Sequence, residues 1–245
     1  MTKTIISMVF VIVALSSTLC ATEKIKIAVA SNFYTTMKKI ALKFETIYPY
    51  KIILISGATG QQYAQIVHGA PYDLFFAADS KRPELLEESG TGVDGSRFTY
   101  AIGALVLWSS ESDLIDANAT ILKRLNFSRL AIANPKVAPY AQASLQTLKA
   151  LNIFTSASSK IVYAQSVAQA LMFAQTQNAQ LAFISYAQLK SLNQGSYYIV
   201  PQTLYDPIIQ QAIVLKKSRA TEQFLRFFRS REVGQIIKHS GYTLP

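Results

Sequence analysis

Acid–base or nucleophilic chemistry has little to draw on in this chain. Its 245 residues include two histidines, one cysteine and 14 acidic side chains. His68 sits beside Gly69 at the end of a helical pattern, and His239 stands two residues before Gly241, so both read as surface residues at helix ends. Asp73 and Asp79 are close in sequence, but each falls at an element boundary where a turn or cap role suffices. No His, Cys or carboxylate cluster has metal-ligand spacing. What the sequence does offer is hydrogen-bond donors. Ser56-Gly57-Ala58-Thr59-Gly60 follows the β-branched run Ile52-Ile53-Leu54-Ile55 and precedes Gln61 to Ile66. Small residues and hydroxyls therefore stand where a strand hands over to a helix, with outward-pointing N–H groups and the positive end of the helix dipole behind them. Such a turn holds an anion without Lys or Arg, and none of its five residues is charged.

Alone, that turn would be explained by ordinary helix capping. The arrangement recurs, however. Ser31-Asn32 lies between the apolar strand pattern Ile25 to Ala30 and a helix marked by Phe33, Met37, Ile40, Ala41, Phe44 and Ile47, which Pro49 ends. Asn32 is placed to cap that helix. Pro139-Tyr140 and Ser166-Val167 open two further helices.

The elements that carry these turns alternate. Helix Gln61 to His68, strand Asp73 to Ala77 and a helix from Asp79-Ser80 toward Glu88 precede the apolar stretch Tyr100 to Trp108, which runs from one half of the molecule into another. Then come helix Ala119 to Leu125, strand Leu130 to Ala133, helix Tyr140 to Leu151, strand Lys160 to Ala164, helix Ser166 to Gln175 and strand Leu181 to Ile184. Strands at Tyr197 to Pro201 and Gln211 to Leu215 and helices at Thr221 to Phe228 and Val233 to His239 close the chain. This alternation predicts an α/β protein with parallel-rich mixed sheets. The expected division is residues 22–104 with 213–245 in one lobe and 105–212 in the other. Two such lobes joined by extended crossings set the carboxyl ends of both sheets around one cleft, where all four polar turns converge.

The N-terminus reads separately. A short basic start, the apolar run Ile5 to Leu15 and the small residues Ser16 to Ala21 have the anatomy of a secretory signal peptide, with cleavage expected near Ala21. A lipoprotein anchored through Cys20 is disfavoured, since Ser-Thr-Leu precedes the cysteine without a small neighbour. Removal of residues 1–21 leaves no cysteine, hence no disulfide or thiol chemistry, and implies a soluble periplasmic protein. The net charge of +10 is spread singly or in pairs apart from a mild concentration between Lys216 and Lys238, and no aromatic-basic module for nucleic acid stands out. Fully ionised anions suit donor-lined turns. Each charge-assisted bond contributes about 1.5–3 kcal/mol, so six or seven exceed the roughly 10–12 kcal/mol of nanomolar binding. A site made only of donors also rejects oxyanions that keep a proton, because their O–H needs an acceptor.

Taken together, AVASNF, SGATGQQYAQIVHGAPYDLFFAADSKRP, LAIANPKVAPYAQASLQTL, the Ser166-Val167 helix start with LAFISYAQL, and the closing GYTLP resemble the periplasmic molybdate-binding proteins of ABC transporters across essentially the whole mature chain. The resemblance implies a two-lobed "Venus flytrap" of the type II periplasmic binding class, which takes up molybdate or tungstate and delivers it to a membrane permease and ATPase. It implies no catalytic residues, no cofactor, no metal cation held directly, no nucleic-acid partner and a monomer. Carried over by position, the ligand-binding residues are Ser31, Asn32, Thr59, Tyr140 and Val167, the last acting through its backbone N–H. Ala58 and Ser185 follow at second rank. Ala58-Thr59 replaces a turn that is serine-rich in many members, and Ser185 stands where one branch has a tyrosine, with Tyr186 one residue later, so Tyr140 is the favoured phenolic donor. The alternatives are the same fold with another anion such as sulfate, phosphate or a carboxylate, and a periplasmic hydrolase on a two-lobed scaffold.

Overall fold

In the computed structural model, which describes residues 23–245, each polar turn leaves the carboxyl end of a strand whose neighbour ends level with it. β1 (Glu23–Ala30) pairs in parallel with β2 (Tyr50–Gly57) from Glu23↔Tyr50 to Ala30↔Gly57. The turns that follow therefore lie side by side, and the Ser31 N–H donates to the Gly57 carbonyl (2.9 Å). Between these strands runs α1 (Tyr34–Ile47), which ends with Tyr48 extended because Pro49 disfavours a helical residue before it. Helix α2 (Thr59–Val67), β3 (Leu74–Phe76), α3 (Lys81–Glu88) and β4 (Phe98–Gly103) continue the first half. The long apolar stretch then breaks at Ala104, and β5 (Leu105–Ser109) starts the second sheet.

The second half repeats the logic. α4 (Thr120–Lys123) leads to β6 (Leu130–Ala133), α5 (Pro139–Ala150), α6 (Phe154–Ala157), β7 (Ile161–Ala164), α7 (Val167–Gln175), β8 (Leu181–Ser185), α8 (Tyr186–Leu189) and β9 (Ser196–Ile199). β6 and β7 are parallel and end level at Ala133↔Ala164, which brings the starts of α5 and α7 together. The chain returns through β10 (Ile208–Val214) and ends in α9 (Arg219–Phe228) and α10 (Arg231–His239). The sheet orders are β2-β1-β3-β10-β4 and β7-β6-β8-β5-β9. In each, a parallel trio is extended by antiparallel strands: β10 against β3 and β4, β5 against β8 and β9. β10 joins the first sheet from Ile208 onward, so the return crossing precedes the boundary expected at residue 213.

Apolar burial sits on both faces of each sheet, as parallel strands require. Against the first sheet, Phe33, Phe44, Phe76, Tyr100, Phe224 and Phe228 form an aromatic cluster under α1 and α9. The other face packs Ile66 of α2 and Leu86 of α3 on Phe75 and Ile213. Ala30 and Ala78, at the tips of the first sheet, pack into the second half's core with Ala138, Tyr140 and Val167. The two halves are thus in contact at the cleft. The proposed signal segment, residues 1–21 with Cys20, lies outside the described residues, and no described helix is long and apolar enough to cross a membrane.

Candidate functional site

Ser31, Asn32, Ala58, Thr59, Tyr140 and Val167 line one small cavity where the halves meet. The first four come from the turns after β1 and β2, the last two from the first turns of α5 and α7. The space is tight: the centre of a water molecule could range over only about 10 Å³, roughly one water's freedom. No charged residue lines it. The nearby Arg82 guanidinium is paired with Asp79 and also donates to the Lys136 carbonyl across the cleft (3.1 Å).

The donors around this cavity are conspicuously unspent. Alanine occupies the N-cap of both α2 (Ala58) and α5 (Ala138), in extended geometry and with no side chain to take the first N–H groups. The N–H groups of Ala58, Thr59, Tyr140 and Val167 find no acceptor among the described residues. Pro139 at the first position of α5 suits a site where a donor would otherwise be missing a partner. The Thr59 hydroxyl oxygen accepts from the Ala78 N–H (3.0 Å), which leaves its own hydrogen free. Tyr140 likewise accepts, from Gln210 Nε2 (3.4 Å), and its hydrogen has no protein acceptor. Gly60 is needed for the approach of the halves. Its N–H donates to the Val137 carbonyl (2.8 Å), and a Cβ there would stand 2.8 Å from Val137 Cα.

Two expected roles resolve differently. Asn32 does not cap α1, whose N-cap is Phe33 without any side-chain bond. Instead the Asn32 amide donates behind the cavity to Gln210 Oε1 (2.8 Å) and to the Tyr242 hydroxyl (3.1 Å). Ser185 does not reach the cavity. Its hydroxyl accepts from the Gln188 N–H (3.2 Å) in a capping box at α8, and Gln188 Nε2 in turn donates to the Val167 carbonyl (3.3 Å), so Ser185 steadies the start of α7 at one remove. Tyr186 turns to the other side and packs near Gly241. Ser166 does cap α7, accepting from the Gln169 N–H (3.2 Å).

Behind the cavity, Tyr100, Tyr242 and Gln210, which sequence patterns did not single out, are buried together with Asn32 and Tyr140. Tyr100 donates to the Ala77 carbonyl (3.0 Å) and lies 3.1 Å from Gln210 Oε1, and Tyr242 donates to the Asn32 carbonyl (2.8 Å). Burial pushes the phenols of Tyr100, Tyr140 and Tyr242 well above their ordinary range, so all three stay protonated at neutral pH. The available signal was the pair Gln210-Gln211, of which Gln210 is fully buried, inside the otherwise apolar run Ile208 to Val214. No group of three or more His, Cys, Asp or Glu side chains that could hold a metal ion occurs among the described residues.

A family model described as "Bacterial extracellular solute-binding protein" matches residues 25–243. The chain is 42% identical over 233 residues to the molybdate-binding protein ModA of Azotobacter vinelandii, covering 92% of each. It is 38% identical over 219 residues to the protein of the same name from Rhodobacter capsulatus, covering 88% of this chain and 86% of that one. The solved structure of the Azotobacter vinelandii periplasmic molybdate-binding protein superposes with a TM-score of 0.86 at 38% identity, over 90% of this chain and 99% of that chain. Two lobes of α/β architecture closing on a donor-lined cavity, and sequence likeness sustained from β1 to the C-terminus, make this chain a member of the bacterial extracellular solute-binding protein family, alongside these molybdate-binding proteins.

Proposed function

We propose that this protein captures molybdate, and with it tungstate, as a fully deprotonated oxyanion between its lobes and delivers it to the permease and ATPase of an ABC importer. The observation that carries this reading is the convergence of unpartnered donors on an uncharged cavity: the hydroxyls of Ser31, Thr59 and Tyr140 and the N–H groups of Ala58, Thr59, Tyr140 and Val167. A tetrahedral dianion presents acceptors in all directions, which is the complement of such a shell. A small cavity between the lobes favours a compact ion over a bulky organic carboxylate. The names of the relatives at 42% and 38% identity agree with that chemistry. In this reading the protein acts by binding rather than turnover, needs no cofactor, works as a monomer in the periplasm after cleavage near Ala21, and closes the lobe of the second sheet over the lobe that β10 rejoins from Ile208.

A thermal-shift panel on the chain from Thr22 tests it, with molybdate, tungstate, sulfate, phosphate and citrate at equal concentration. A ligand present at a thousand times its Kd stabilises by about 4 kcal/mol, so the true ligand stands clear of the rest. Molybdate and tungstate are expected to raise the midpoint most. A larger shift with sulfate or phosphate would keep the oxyanion site and replace the ligand, and no shift with any anion would overturn the reading.

A further inference from the structure

We infer that Gln210 sets the polarity of this cavity: it holds the Tyr140 hydroxyl as an outward donor and thereby makes the site discriminate against oxyanions that carry a proton. The inference rests on the oxyanion reading of the site, though not on molybdate being the ion.

The direction of every hydrogen bond behind the cavity follows from one fixed end. The backbone carbonyl of Asn32 can only accept, so the Tyr242 hydroxyl spends its hydrogen there (2.8 Å). The Tyr242 oxygen can then only accept, and it faces the Asn32 side chain at 3.1 Å, which must present Nδ2. The second Nδ2 hydrogen meets Gln210 at 2.8 Å and so requires Oε1 at that point. With Oε1 committed to Asn32, the other end of the Gln210 amide is Nε2, and it donates to the Tyr140 oxygen (3.4 Å). Tyr140 therefore cannot donate backward. Its hydrogen is left for the cavity that Tyr140 lines. Gln210 is fully buried, so no solvent competes for these groups. Glycine at position 103 makes the room, since a Cβ there would fall 2.1 Å from the Tyr140 oxygen and 2.8 Å from Gln210 Nε2.

At the other side of the cavity the Thr59 oxygen already accepts from the Ala78 N–H, so it too faces the ligand as a donor. An oxyanion bearing an O–H would then have only the Ser31 hydroxyl, the one lining side-chain hydroxyl not already turned outward as a donor, to accept that hydrogen. Turning it round removes a donor from the ion, which costs about as much as a lost buried hydrogen bond. Gln210 touches no ligand in this arrangement. It is a positioning residue whose effect is read through Tyr140.

The test compares sulfate with hydrogen phosphate by calorimetry at about pH 8, where both are dianions of similar size that differ by one proton. The wild-type protein is expected to bind sulfate at least about tenfold more tightly than phosphate. Gln210→Glu keeps the shape but replaces the donor with an acceptor, so Tyr140 donates backward and turns a lone pair to the ligand. The sulfate-to-phosphate ratio is expected to fall by about tenfold or more, whereas a merely structural defect would weaken both ions alike. Should that variant not fold, Gln210→Met removes the imposed direction without adding charge and should lower the ratio in the same sense. Phosphate bound as tightly as sulfate by the wild type, or a ratio unchanged in the folded variants, overturns the inference. Molybdate is titrated in parallel: its failure to bind while the sulfate preference holds would remove the proposed ligand and leave the role of Gln210 standing.

Discussion

Each side chain at the cavity gives only part of itself to the fold. Thr59 takes a hydrogen bond from Ala78 and keeps its own hydrogen, and Tyr140 does the same with Gln210. Thr59→Ala and Tyr140→Phe are therefore each expected to weaken oxyanion affinity by about 1–3 kcal/mol while the protein still folds, measured by calorimetry on the purified variants. Unchanged affinity in both would take them out of the site. Thr59→Ala strands the Ala78 N–H and Tyr140→Phe strands Gln210 Nε2; the first bond is the shorter (3.0 against 3.4 Å), so Thr59→Ala should lower the melting temperature more. At this scale the sequence indicates which residues reach the cavity wherever a residue stands at its own local turn. Ser31, Ala58, Thr59, Tyr140 and Val167 all follow strand ends or open helices, and polar or small residues at such points advertise themselves. Asn32 was readable in position but not in contacts, because its partners Gln210 and Tyr242 are 178 and 210 residues away. Nothing in a local pattern reports a partner at that distance. Ser185 misled for the opposite reason, since its hydroxyl is consumed by the cap three residues on.

The elements matter here for where they begin rather than for how long they run. Helices α2 and α5 start uncapped at the cavity, whereas α7, α9 and α10 start with serines that accept from the backbone. Alanine is a poor cap, so α2 and α5 hold stability in reserve until an anion completes their first turns. Gly60, in the first turn of α2, lets the second lobe's backbone come down onto it. Gly60→Ala would put a Cβ 2.8 Å from Val137 Cα, and a backbone atom cannot rotate aside. The variant is expected to bind about 1–3 kcal/mol less tightly and, in solution scattering at saturating ligand, to keep a larger radius of gyration than the wild type. A wild-type profile would show that the lobes tolerate the methyl group. Element order and type were legible almost throughout, because buried parallel strands read as continuous apolar runs and the helices keep a 3.6-residue period. The short helices α6 and α8 were not, being too brief to show any period. β10 starts earlier than its apolar pattern because Gln210 interrupts that pattern, beside a register shift between Gln210 and Gln211.

Across the whole molecule, the tyrosine layer makes the junction of the lobes sensitive to alkali. Burial raises the Tyr100, Tyr140 and Tyr242 phenols in the folded protein above their unfolded value near about 10. Below about pH 10 both states keep these protons, and the three groups give stability no slope. Above it the unfolded chain releases protons that the folded chain retains, so stability falls with rising pH, by up to about 1.4 kcal/mol per pH unit for each phenol. Urea titrations from about pH 7 to 11 should show a flat region followed by this decline, shallower in Tyr140→Phe. A decline that starts near neutrality would point to other groups. The same junction determines how cargo leaves. Since the donors are divided between two bodies, prising the lobes apart subtracts half of them at once. Losing three or four charge-assisted bonds lowers affinity by at least roughly a thousandfold. In the oxyanion reading, release needs no proton transfer, no covalent change and no counter-ion at the site. A membrane machine that merely pulls on the two halves would release the ion unaltered, so the clasp converts mechanical work directly into unloading.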